Sequence, residues 1–200
     1  PAVDKRYLGR GIEAELDAVR SKYKLPKHYI LVVSSLVEHK NVLTVLRALK
    51  QIKCQEVELV LVGRETSYYV DVLRSYAESN HLMHRLLHIS RAHSGDMASI
   101  YRMADVLVAP SRYEGFGLIV IEAQACGIPV ITTSGTALEE AAGDAALFFD
   151  PDDTDTLVEH LDRVLSDESL RQQLITAGER NIERFTRLME TSAEVADPPE

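Results

Sequence analysis

The stretch that most constrains this chain spans residues 104–130, ADVLVAPSRYEGFGLIVIEAQACGIPV. It opens with an apolar, β-prone run at 106–109. A polar turn follows at 110–115, then an apolar run at 116–126 whose length suits a helix. Gly127, Ile128 and Pro129 stop that run and lead into a second strand, IPVITT. Strand, turn and helix of these lengths make half of a β-α-β unit, which calls for a parallel sheet. In such sheets ligands sit outside the carboxyl ends of the strands. The turn SRYEGFG falls at that place.

The chemistry of the turn is specific. Gly115 and Gly117 permit close backbone approach and unusual φ. The free N–H groups at the start of the next helix, those of Phe116, Gly117, Leu118 and Ile119, would point into the turn and form an anion site suited to phosphate. Glu114 and Glu122 flank these amides in an E-x7-E spacing. A carboxylate beside a phosphate is repelled by it, so neither glutamate is expected to hold phosphate. Each offers two acceptor oxygens and fits a vicinal diol, such as a ribose or a sugar ring. Phosphate amides between two diol acceptors suggest a nucleotide sugar. Taken alone, an E-x7-E pair also has a plainer reading, in which both glutamates are solvated or cap the helix.

Two hundred residues suit one ordinary domain, or a domain with tails. With 46% hydrophobic residues the chain can bury a sizeable core. No apolar run reaches the ~18 residues a membrane-spanning helix needs. The first residues, PAVDKRYLGRG, show no hydrophobic leader and no initiating Met. A cytoplasmic protein without an intrinsic membrane segment is expected. The net charge of −9 is spread along the chain and argues against a nucleic-acid binder, which would present a basic face. Cys54 and Cys126 read as buried free thiols of a reducing compartment. His81, His84 and His88 read as structural or surface histidines. No cysteine pair and no His-Glu-x-x-His pattern accompanies them, so no metal site is expected.

The rest of the chain alternates strands with helices. Residues 1–28 form a leading segment with an amphipathic helix over 12–23, its apolar positions at Ile12, Leu16, Val19 and Tyr23. Pro26 ends it. A strand over 29–36 is followed by Glu38, His39, Lys40 and Asn41. Asn41 is the expected N-cap of a helix over 42–53. Lys40 then stands at the carboxyl end of the first strand, where a lysine can act as a point charge on phosphate. Strands are expected at 57–62 and 86–90, a helix at 68–80, and another that is N-capped by Ser94, carries Asp96 in its first turn and runs to Ala104. After the central stretch come a strand at 130–133, a short helix at 137–142, a strand at 146–149 and helices at 155–165 and 168–185. A nucleotide-binding domain over 29–186 and a polar, disordered tail over 187–200 complete the reading. Six strands alternating with helices predict a doubly wound α/β domain, Rossmann-like, with a parallel sheet. Lys40, the 114–119 turn and the loop at Ser134 then share one rim.

The central letters resemble the donor-binding signature of retaining GT-B glycosyltransferases, the glycosyltransferase group 1 family. That signature reads P-S-x-x-E-G-F-G-L-x-x-x-E-A-x-A-x-G-x-P-V. Pro110, Ser111, Glu114, Gly115, Phe116, Gly117, Leu118, Glu122, Ala123, Ala125, Gly127, Pro129 and Val130 match it. The resemblance runs from about residue 29 to residue 185. It implies one half of a GT-B fold, the C-terminal, donor-binding domain. The acceptor (a sugar, a lipid-linked sugar or a polysaccharide) would bind a second, N-terminal domain that this sequence lacks, and any peripheral membrane association would lie there too. It further implies sugar transfer from a nucleotide-diphospho-sugar with retention, without metal or other cofactor, and poor activity of this domain alone. Lys40 matches a family lysine on the donor diphosphate, while Ser35 stands where the family carries the arginine of that pair. Glu114 would hold sugar hydroxyls and orient the anomeric carbon, and Glu122 would hold the ribose diol. Glu140 matches a further family glutamate, and the base would lie near residues 90–92. Two other classes share this architecture. One is a nucleotide-sugar epimerase or a phosphorylase, and the other is a non-catalytic nucleotide-sugar-binding module.

Overall fold

A computed structural model describes residues 4–9 and 11–196, with side chains as far as Arg187. Six parallel strands form one sheet: β1 (Tyr29–Val33), β2 (Glu58–Val62), β3 (Leu86–Ile89), β4 (Val106–Ala109), β5 (Val130–Thr133) and β6 (Leu147–Phe149). Their order is β3-β2-β1-β4-β5-β6. The chain starts in the middle, winds outward to β3, then returns to lay β4 against the free side of β1. There Ile30 pairs with Val106 and Leu31 with Leu107. This is the expected doubly wound α/β sheet.

The strands read as near-continuous apolar runs because both faces are covered. Along β1 the side chains alternate. Ile30 and Val32 join one core with α2 (Val42–Gln51) and α7 (Thr154–Ser166). Tyr29 and Leu31 join the other, with α1 (Glu13–Tyr23), α4 (Met97–Arg102), α5 (Leu118–Ala125) and α6 (Ala137–Ala142). On α2 the buried residues Val42, Val45, Leu46 and Leu49 recur at helical spacing and form its core stripe. The remaining helices are α3 (Ser75–Ser79), which continues a π-helical segment at Tyr69–Arg74, and α8 (Glu168–Ala196). Among the described residues no helix is long and apolar enough to cross a membrane.

Several local expectations need correction. β1 ends at Val33: the Ser34 N–H makes the last bond to β2, at the Val62 carbonyl (3.0 Å), and Leu36 packs in the core from the loop. The helix expected over 68–80 begins as the π segment. The central helix starts at Leu118, since Gly117 at φ 77° cannot continue a helix toward Phe116. Ser94 does not cap α4; Asp96 holds that position, and its carboxylate accepts instead from Lys22 Nζ (2.6 Å) and Tyr23 Oη (2.8 Å). Asn41 occupies the N-cap position of α2 in a left-handed conformation, but its amide donates to the Pro151 carbonyl at 2.8 Å rather than capping. Cys54 is exposed and Cys126 only part-buried, where two buried thiols were expected. α8 runs past residue 185 to Ala196. The end of the expected tail, from residue 197, lies outside the described residues.

Candidate functional site

The candidate site lies where β1 and β4 run side by side and their following loops leave the sheet in opposite senses. Crevices of this kind are where doubly wound sheets take ligands. The β1 loop reaches back to the β4 loop through one backbone bond, from the Arg112 N–H to the His39 carbonyl at 2.9 Å. Arg112 is tied further by its guanidinium, which grips Asp152 through both terminal nitrogens. The turn is thus fixed at its first residues before the glutamate is reached.

Lys40 and Glu114 meet here. Lys40 closes a short 3₁₀ turn, Glu38–Lys40, and its Nζ lies 2.7 Å from Glu114 Oε2. Both side chains are largely buried, at 14% and 22% exposure. Ser111, itself buried, donates its hydroxyl to the same carboxylate oxygen at 3.3 Å. The cation and the first glutamate, which the sequence assigned to different parts of a ligand, therefore form one ion pair. Ser35 is exposed on the same loop, and its carbonyl accepts from the Val37 N–H at 3.0 Å.

Beside the pair stands the N-terminus of α5. Val120 and Ile121 already donate to the Gly117 carbonyl, at 3.0 and 3.5 Å. The N–H groups of Phe116, Gly117, Leu118 and Ile119 have no acceptor among the described residues. Gly117 allows this geometry, for its φ is 77° and a Cβ would stand 2.9 Å from that of Ala141. Gly115 has no such constraint: nothing lies within 4 Å of a Cβ built there. The side chains of Phe116 and Leu118 are exposed, so the helix start is approachable from solvent.

Glu122 sits farther along α5, and no hydrogen bond joins it to Lys40 or Glu114. Tyr101 Oη on α4 donates to Glu122 Oε2 at 2.9 Å. Tyr7, from the 3₁₀ turn Lys5–Tyr7, packs edge-on against Tyr101 with ring centroids 5.8 Å apart. Burial pushes the Glu122 carboxyl above its ordinary range, while the hydroxyls of Tyr101 and Tyr7 and the charge of Arg6 pull it back. Burial raises Tyr101 well above the usual phenol range and Tyr7 to about 12. Both phenols therefore remain donors at any working pH. Sequence reasoning missed the two tyrosines. Their only trace there is an aromatic residue on the buried face of α4 and another in the leading segment. Glu140 is exposed on α6.

A six-stranded doubly wound domain with its candidate site at the crossover has the architecture of one GT-B glycosyltransferase domain. The sequence then settles the family. This chain belongs to the glycosyl transferases group 1, whose description matches residues 15–181. It is 31% identical over 189 residues to the O-antigen chain mannosyltransferase B of Escherichia coli, covering 92% of this chain and 49% of that protein. The chain therefore spans about half the length of that relative. The fold is shared with the C-terminal domain of a glycosyl transferase group 1 family protein, LpcC, from Francisella tularensis (TM-score 0.75, 23% identity, 90% of this chain and 96% of that one). It is shared as well with Anabaena HepE, solved in complex with UDP and glucose (TM-score 0.84, 18% identity, 98% and 55%).

Proposed function

We propose that this chain is the donor-binding half of a retaining glycosyltransferase that moves a hexose from a nucleotide-diphospho-sugar to an acceptor held by a second domain. One observation carries the reading: Lys40, Glu114 and the open amides of α5 share one rim of the sheet. In this account the diphosphate lies against the amides of Phe116, Gly117, Leu118 and Ile119, with Lys40 as the adjoining cation. Lys40 has three donor hydrogens and gives one to Glu114, so it serves the phosphate without leaving the pair. Glu114 keeps acceptor capacity for a sugar hydroxyl and so orients the anomeric carbon. Glu122 accepts from the ribose diol.

Transfer breaks the bond between the anomeric carbon and the diphosphate oxygen, and the electron pair departs with the diphosphate. The acceptor oxygen bonds to that carbon on the same face, and its proton passes to the departing phosphate. Lys40 and the helix amides stabilise the leaving charge. Because they supply that stabilisation, the reaction on this account needs no metal. By name the Escherichia coli relative transfers mannose, so a mannosyl donor is the first to test.

The test is calorimetric titration of the chain with UDP, GDP and ADP, with and without EDTA. One nucleotide is expected to bind in the millimolar range or tighter, unaffected by EDTA. Lys40→Ala and Glu122→Ala should each weaken it about tenfold or more, the scale of losing a charge-assisted hydrogen bond. Glu114→Gln removes a negative charge and frees Lys40. It should leave bare nucleotide binding equal or stronger while weakening binding of the nucleotide sugar. Affinity that is indifferent to Lys40 and Glu122 would contradict the assignment.

A further inference from the structure

Residues from distant parts of the chain gather around the Glu122 carboxylate. Tyr101 is fully buried, and its hydroxyl has Glu122 Oε2 as its acceptor at 2.9 Å. Behind it the Tyr7 ring packs edge-on against Tyr101, with centroids 5.8 Å apart. The turn that carries Tyr7 is strapped down independently. Arg102 Nη2 donates to the Arg6 carbonyl at 2.8 Å and Arg102 Nε to the Gly9 carbonyl at 3.1 Å. The Cys126 thiol leans on the Tyr7 carbonyl at 3.8 Å. So much fixed structure around one acid is more than helix packing needs, since a leucine could fill the same space without a desolvated charge.

We propose that Tyr101 and Tyr7 are positioning residues for nucleotide binding: the Tyr101 hydroxyl fixes the Glu122 carboxylate in the orientation from which it accepts the ribose diol, and the Tyr7 ring holds Tyr101 in place. This rests on the reading of Glu122 given above. It makes Tyr7, in the segment before α1, a working part of the site. The physical reason is that a part-buried carboxylate without donors either protonates or swings toward water. A protonated acid then competes as a donor where two ribose hydroxyls need an acceptor.

A pH profile separates positioning from mere packing. The charged and titratable groups about Glu122 are Tyr101 from α4, Tyr7, Arg6 and Asp4 from the N-terminal turn, and Cys126 at the end of α5. Asp4 is held down at about 2, while Cys126 and Tyr7 are pushed up to about 12. Glu122 is the member of this group left to titrate between them. Nucleotide affinity should therefore fall on the acid side as Glu122 protonates. Tyr101→Phe keeps the ring and removes the hydroxyl. It should weaken binding of the responsive nucleoside diphosphate about tenfold and move the acid limb to higher pH. Tyr7→Ala, which removes the ring packed against Tyr101, should do the same to a smaller extent. In a Glu122→Ala background neither change should matter further.

Tyrosine variants that lower the melting temperature but leave affinity and acid limb in place would overturn the proposal. If Glu122→Ala itself leaves affinity intact, or no nucleotide binds the wild-type chain, the assignment of Glu122 fails first and this inference falls with it.

Discussion

The Lys40–Glu114 pair shows how a contact changes the meaning of a motif. As letters, Lys40 and Glu114 are a cation for phosphate and an acceptor for hydroxyls. In the fold they hold each other at 2.7 Å, so each keeps the other ordered and part-desolvated before any ligand arrives. Removing one partner leaves the other's charge unpaired in a largely buried place, so single substitutions here act on both residues. No spacing rule announces this pair, because its members lie in the loops after two different strands. Nor does one announce Tyr101 and Glu122, which lie on two different helices, α4 and α5. The residue types of the site were thus legible, but their pairing was not. The cysteines behave likewise. Burial pushes the Cys126 thiol up to about 12, so about one molecule in ten thousand carries a thiolate at pH 8. Cys54 is exposed. A thiol reagent at pH 8 should therefore modify one cysteine rapidly in the folded chain and the second only in denaturant; prompt modification of both would contradict the packing around Cys126.

Among the elements, β4, β5 and α6 fall on the residues the sequence marks, Val106–Ala109, Val130–Thr133 and Ala137–Ala142. The strands are short apolar runs between unmistakable breakers, and α6 starts at Thr136, whose side chain accepts from the Leu138 N–H. Where apolar letters run past the true end of an element, the reading overshoots. Leu36 packs in the core from a loop, and Phe116 precedes a glycine that cannot be helical. The close fit of β1 to β2 was equally invisible in the sequence. The chain leaves β2 at Gly63, where a Cβ would stand 1.8 Å from the Ser34 carbonyl oxygen. Gly63→Ala must force those two strand ends apart, at the top of the sheet beside the site. We expect a loss of about 3 kcal/mol or more, at the large end of single substitutions. Gly117→Ala should cost about 1–2 kcal/mol for its left-handed backbone, with further strain against Ala141. Chemical denaturation of the two variants checks the order; a Gly63→Ala protein as stable as wild type would contradict the strand packing.

At the scale of the molecule, the parallel topology decides where a site can be. Strands that all point one way gather their following loops at one edge, and the strand order reverses there between β1 and β4. The chain belongs to the glycosyl transferases group 1 and spans about half of its mannosyltransferase relative. On our reading the acceptor and part of the chemistry belong to the other half, and this half is judged by what it binds. The most direct test of that claim is amide chemical-shift mapping of the labelled chain during titration with UDP, GDP and ADP. The account predicts that one nucleotide shifts the resonances of Phe116, Gly117, Leu118 and Ile119 together with those of the Lys40 loop, saturably and in the presence of EDTA. Shifts confined to other parts of the molecule, or none at saturating nucleotide, would contradict it.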